Sequence, residues 1–163
     1  MKNIVLTVFV AFFCVTLCNA QTRAKPTSTL SFELGKTGLI YNLNFDQRFA
    51  GKNFGFRLGA GSNFNRYLNA KVFGGGGYYL FGKQSRFLEI GLDLQYLMID
   101  EVSDDQKGFS FIYPDYSIKT LYPSLNLGYR VYGKKTAFRA GFSPALINND
   151  FIPGGYISFG LIL

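Results

Sequence analysis

The sequence predicts an all-β chain that closes as an eight-stranded antiparallel up-and-down transmembrane β-barrel. Three observations lead there. The first is Phe87 to Leu97, where Leu88, Ile90, Leu92, Leu94 and Tyr96 alternate with Glu89, Gly91, Asp93 and Gln95. Strict alternation puts one set on each face of a strand. The run is also long enough to cross a bilayer as a tilted strand, which takes about 9–11 residues. The second is that runs of this kind follow one another along the chain with no convincing helical pattern between them. The third is the opening: Met1-Lys2-Asn3, the apolar run Ile4 to Leu17, then Cys18-Asn19-Ala20. A basic start, an apolar core and small residues before a cut describe a secretory signal peptide.

Cleavage after Ala20 divides the chain into a signal peptide over residues 1–20, a short polar lead-in over 21–28 and a barrel domain over 29–163. A lipid anchor at Cys18 is the competing reading. It normally needs a small residue before the cysteine, and Leu17 stands there. Both cysteines, Cys14 and Cys18, lie in the segment to be removed, and the chain has no histidine. The exported part therefore lacks a disulfide, a thiol nucleophile, a thiolate metal site and imidazole chemistry. The formal charge is +7 and aromatic content is 18%, all Phe and Tyr. A basic, aromatic chain can bind nucleic acid. The export signal and the scatter of the basic residues argue against that partner.

The elements follow in order. The first strand is Thr29 to Gly35, with Leu30, Phe32 and Leu34 opposite Ser31 and Glu33. Gly35-Lys36-Thr37-Gly38 makes a tight hairpin turn. The second strand is Leu39 to Arg48, with Tyr41, Leu43 and Phe45 opposite Asn42, Asn44 and Asp46. The third is Phe54 to Ser62, with Phe56, Leu58 and Ala60 opposite Arg57, Gly59 and Gly61. The fourth is Lys71 to Phe81; its run Gly74 to Gly77 leaves its inward parity open. The fifth is Phe87 to Leu97, and Met98 to Tyr116 reads as the longest loop. The sixth is Ile118 to Val131, weakened by Pro123, because proline sits poorly inside a ladder. The seventh is Ala137 to Ser143, Pro144 to Pro153 reads as a loop, and the eighth is Gly154 to Leu163. Short turns carrying Gly51-Lys52, Gly82-Lys83 and Gly133-Lys134 alternate with longer connections, apart from the first hairpin. Short turns at one end and long loops at the other suit a membrane barrel.

The seven strands of legible parity carry no charge on the aliphatic face of their central spans. The opposite face collects Glu33, Asp46, Arg57, Glu89, Asp93, Arg130 and Arg139. Those residues are either the wet face of a soluble sheet or an ion-pair network filling a narrow lumen. The signal peptide, the aromatic strand ends and the final strand favour the lumen. Lumenal glycines would leave room for the long arginines. Phe49, Phe54, Phe81, Phe87, Tyr129, Tyr132 and Phe138 at the short-turn end, with Tyr67, Tyr96, Tyr116 and Tyr122 at the other, would form two interfacial girdles.

On these features the chain resembles the small bacterial outer-membrane β-barrel superfamily, the OmpA-type membrane domain. More loosely it is similar to the outer-membrane β-barrel domain proteins of Bacteroidota. The resemblance covers about Thr29 to Leu163 and rests on the signal peptide, the eight strands, the Gly-Lys turns and the terminal Tyr156-Ile157-Ser158-Phe159-Gly160-Leu161-Ile162-Leu163. Such barrels usually end on an aromatic residue read by the barrel-assembly machinery, whereas this sequence ends on Leu163 with Phe159 four residues earlier. The resemblance implies the outer membrane of a Gram-negative bacterium, with outer-membrane lipid and lipopolysaccharide as surroundings.

No catalytic constellation appears, so no enzyme activity and no cofactor is expected. Barrel enzymes that modify lipid A lean on histidine, which is absent. Asp100, Glu101, Asp104 and Asp105 in the long loop are either solvated or a weak divalent-cation site, since oxygen ligands suit Ca²⁺ and Mg²⁺. The function expected is a plugged outer-membrane barrel with a structural or surface-interaction role through its extracellular loops. The alternatives are a narrow pore for ions or small solutes, and a secreted soluble ligand-binding barrel. The sequence names no protein partner.

Overall fold

In a computed structural model of the chain, the structure describes residues 27–36, 41–63, 69–100, 118–148 and 150–163. The expected signal peptide and most of the lead-in lie outside these residues. Among the described residues ten strands form one antiparallel sheet: β1 (Thr27–Gly35), β2 (Tyr41–Arg48), β3 (Phe54–Ser62), β4 (Asn69–Lys83), β5 (Arg86–Asp100), β6 (Ile118–Tyr132), β7 (Thr136–Phe142), β8 (Ala145–Ile147), β9 (Asp150–Ile152) and β10 (Gly155–Ile162). Each pairs with its sequence neighbour where a hairpin joins them, and β10 returns to β1, with Phe32 opposite Phe159. The sheet therefore closes on itself as an eight-stave barrel, which leaves no wall edge.

The eight staves come from ten strands because two staves are interrupted by proline. Leu127 pairs with Phe142 on β7, and Ser124 pairs with Ala145 on β8, so the register of β6 runs on unshifted across the break. Between them the amide of Leu125 donates to the Pro144 carbonyl at 2.9 Å. The same holds on the next stave, where the amide of Ser143 donates to the Gly154 carbonyl at 2.7 Å. Proline lacks the donor that would complete the ladder. The expected loop from Pro144 to Pro153 is thus corrected: it is the β8–β9 hairpin, which continues the wall upward.

The polarity of the wall is inverted. Leu88, Leu92 and Leu94 on β5 stand outward at 52–62% exposure, while Arg57, Arg130 and Asp46 facing inward are 1–2% exposed. Among the described residues, the alternation read for the seven legible strands agrees with this wall, three of the girdle aromatics apart. β4 resolves too: Ala70, Val72, Tyr78 and Leu80 are buried inward, and Phe73 and Phe81 are exposed. The walls differ in height. β4, β5 and β6 have 15 residues each, against 9, 8 and 9 for β1, β2 and β3. Met98 to Asp100, expected to begin the longest loop, belong to β5, and the rest of that segment up to residue 117 lies outside the described residues.

Candidate functional site: a layered lumen

The inward side chains stack in three layers. At the short-turn end Tyr78, Leu80 and Phe87 pack together with Tyr132 against them. The Arg48 guanidinium lies 4.7 Å from the Phe87 ring centroid, and its Nη2 donates to Asn53 Oδ1 at 2.8 Å. At the long-loop end Ala70, Val72, Leu97, Ile99, Tyr122, Ala145 and Ile147 form an apolar layer, with Ile152 packed on it. The Tyr122 hydroxyl donates to Gln95 Oε1 at 2.6 Å, which joins this layer to the polar one below.

Between them lies the charged layer. Glu89 on β5 is its centre. It accepts from Arg57 Nη2 at 2.5 Å, from Arg130 Nε at 2.7 Å and from Arg139 Nη2 at 3.1 Å. Asp46 Oδ1 accepts from Arg57 Nε at 3.2 Å and Arg130 Nη2 at 3.0 Å. Arg139 Nη1 donates to Glu33 Oε2 at 3.4 Å. Asp93 lies 3.6 Å from Arg57 Nη1 and accepts from Lys36 Nζ at 2.5 Å. The structure thus brings together all seven ionisable residues singled out from the sequence. Arg130 and Arg139 are direct cross-strand partners. Like charges placed so repel, and the Glu89 carboxylate spanning both offsets that.

Lys36 is the eighth member, and the sequence places it in a tight hairpin turn. Gly35 and Lys36 both have positive φ, 89° and 69°. Two successive left-handed residues break the strand alternation and swing Lys36 inward, where its side chain is 5% exposed. Within the charged layer it makes four acids against four bases, and Arg48 in the layer below is a further buried base.

Tyrosines were also missed. The expectation that lumenal glycines make room for arginines is corrected. A methyl group added at Gly55 would meet the Gln47 carbonyl and the Tyr78 ring, and one at Gly128 the Tyr156 hydroxyl and the Ala140 carbonyl; the nearest neighbours are tyrosine and backbone rather than arginine. The tyrosines lie over the glycines, and the arginines stack on the tyrosines. Arg130 and Arg57 are 4.3 and 5.4 Å from the Tyr78 centroid, and Arg139 is 4.9 Å from that of Tyr156. Cations over aromatic faces are stabilised, more so when desolvated. Phe87 and Tyr122 are likewise corrected: both point into the lumen rather than into an interfacial girdle. Tyr132, packed against that lower layer, is corrected with them. Tyr67 and Tyr116 lie outside the described residues.

A cavity of about 20 Å³ lies in the charged layer, lined by Glu33, Lys36, Asn44, Arg57 and Asp93 among others. That is room for about one water. Among the described residues Glu33 Oε1, Asn44 Nδ2 and Arg57 Nη1 have no hydrogen-bond partner, and they offer one acceptor and two donors. Among the described residues no three His, Cys, Asp or Glu side chains converge as metal ligands. Asp100 ends β5, while Glu101, Asp104 and Asp105, the other candidate ligands, lie outside the described residues.

No protein-family model and no curated protein sequence matches the chain. Solved structures do. The N-terminal β-barrel domain of Pseudomonas aeruginosa OprF superposes with a TM-score of 0.66 at 10% identity, covering 85% of this chain and 98% of that one. The chain has the OmpA-type small outer-membrane barrel fold. The Yersinia pestis outer membrane protein Ail, in a phospholipid bilayer nanodisc, superposes with a TM-score of 0.51 at 10% identity over 85% of this chain and all of that one.

Proposed function

We propose that the chain is an integral outer-membrane barrel whose lumen is plugged, with a structural or surface-interaction role carried by its long connections rather than an enzymatic one. The inverted polarity carries this reading. A continuous outward band of Leu, Ile and Phe needs a lipid solvent, and the buried charges need a closed wall. Export through a cleaved signal peptide and insertion by the barrel-assembly machinery fit the same picture. The short turns then face the periplasm and the long connections the outside.

Three lumenal layers support a plug: aromatic below, ion-paired in the middle, apolar above. Lipopolysaccharide is the partner we assign to the long-loop end. Lys71, Met98 and Lys119 stand in one lateral row across β4, β5 and β6, with both lysines exposed. The acids of residues 101–117 would meet lipid phosphates through Mg²⁺ or Ca²⁺, an effect screened by salt.

The test is refolding into phospholipid vesicles. A band whose gel mobility changes on boiling, together with no large steady conductance in a planar bilayer, is expected. Folding without lipid or detergent would refute the membrane reading, and a large steady conductance would refute the plug.

A further inference from the structure

Five exposed cations mark the short-turn end: Lys52, Lys83, Arg86, Lys134 and Lys135. Among the described residues the exposed acidic side chain is Asp150, on β9 at the opposite end. Two of the five are direct cross-strand partners. Lys83 and Arg86 close the β4–β5 hairpin around Gln84 and Ser85. They share the outward parity of Phe81 and Leu88, which pair immediately above them. Like charges directly opposite each other are destabilising, and none of the described carboxylates is within reach to relieve this pair.

The pair also sits at a defined depth. On β4 the outward residues between Lys71 and Lys83 are Phe73, Gly75, Gly77, Tyr79 and Phe81. At about 3.3 Å per residue and a tilt of about 40°, Lys71 and Lys83 are roughly 30 Å apart along the barrel axis. The apolar band of such barrels is about 25 Å tall. Lys83 and Arg86 therefore stand just past the hydrocarbon, at headgroup level. Above them Tyr79 and Phe81 pack with ring centroids 4.7 Å apart, beside exposed Leu88 and Tyr129. The next turn continues the site: the amide of Tyr132 donates to the Ser85 carbonyl at 2.8 Å, which places the β6–β7 turn with Lys134 alongside.

We propose that Lys83 and Arg86 clamp the phosphate of an anionic phospholipid in the leaflet at the short-turn end, with Lys134 as a neighbouring charge. A guanidinium grips phosphate oxygens in a bidentate fork, and an ammonium adds a point charge. The acyl chains lie along Phe81 and Leu88. The headgroup anion takes the place of the missing carboxylate. This rests on the membrane-spanning reading above.

The experiment is native mass spectrometry of the detergent-solubilised barrel titrated with phosphatidylglycerol or phosphatidylcholine. The wild type should bind its first phosphatidylglycerol more tightly than phosphatidylcholine. A cation near a lipid surface is worth about fivefold in affinity, so K83Q/R86Q should weaken phosphatidylglycerol binding at least fivefold. R86K should lose less, and K71Q/K119Q at the other end should keep the preference. Equal binding of the two lipids by the wild type, an unchanged preference in K83Q/R86Q, or the same loss in K71Q/K119Q would overturn the clamp. A boiling-sensitive gel shift in every variant shows that the barrel itself stands. A chain that folds without detergent and binds neither lipid would overturn the membrane reading and the clamp together.

Discussion

Replacing Glu89 by alanine tests the lumen most directly. The carboxylate is 1% exposed and takes hydrogen bonds from Arg57, Arg130 and Arg139. Its loss leaves three buried guanidiniums with Asp46 as the shared anion and an excess of one positive charge. Breaking a buried ion pair by removing one partner costs about 3–5 kcal/mol. The opposed Arg130 and Arg139 should push this substitution toward the upper end. With a urea slope of about 2 kcal/mol per M, the unfolding midpoint should fall by about 2 M. The assay is urea titration of the vesicle-inserted barrel, read from the folded band on an unboiled gel. A double variant sharpens it. Glu89→Ala with Arg130→Met leaves Glu33 with Arg139, Asp46 with Arg57 and Asp93 with Lys36. Charge balance returns, so the pair should cost at least about 1 kcal/mol less than the sum of the single changes. A Glu89→Ala barrel with an unchanged midpoint, or strict additivity of the two changes, would refute the network as a unit.

Other outcomes follow from the same geometry. Leu92→Arg, on an outward side chain 62% exposed, should destabilise the inserted barrel by about 2–4 kcal/mol, measured by the same titration; in a water-facing position it would be harmless. Gly128→Ala drives a methyl group into the Tyr156 hydroxyl and the Ala140 carbonyl, and should cost about 1–3 kcal/mol by thermal unfolding. Lys36→Met removes the 2.5 Å partner of Asp93 and should lower stability by about 3 kcal/mol, whereas a solvated turn lysine would leave it unchanged. Protease added to intact cells should cut within residues 101–117 and spare the Gly-Lys turns; cutting only after the outer membrane is breached would invert the orientation.

How much of this was legible depended on the alternation surviving locally. Seven strands kept it, because a lipid-facing position accepts only apolar residues while the lumen accepts polar ones and glycine. β4 lost it where Gly74 to Gly77 carry no side chain to read. Lys36 escaped because two left-handed residues reverse the strand parity, which no composition rule reports. The upper apolar layer escaped because Leu97-Met98-Ile99 is apolar on both faces. Such a run is itself a sign of burial on both sides, and could have been used. Pro144 and Pro153 read as loop breakers, although each interrupts only its own hydrogen bond. Phe87, Tyr122 and Tyr132 were assigned by height along the strand when their face was the deciding coordinate.

The two faces of this wall also constrain sequence change differently. Outside, one aliphatic residue can replace another with little consequence, so those positions drift freely. Inside, a charge can change only if another changes with it, because the sum must stay near zero. Independent lineages would then settle on different closed sets of lumenal partners under the same strand geometry. In related sequences the signature to look for is therefore compensated pairs and a conserved charge total, rather than conserved residues.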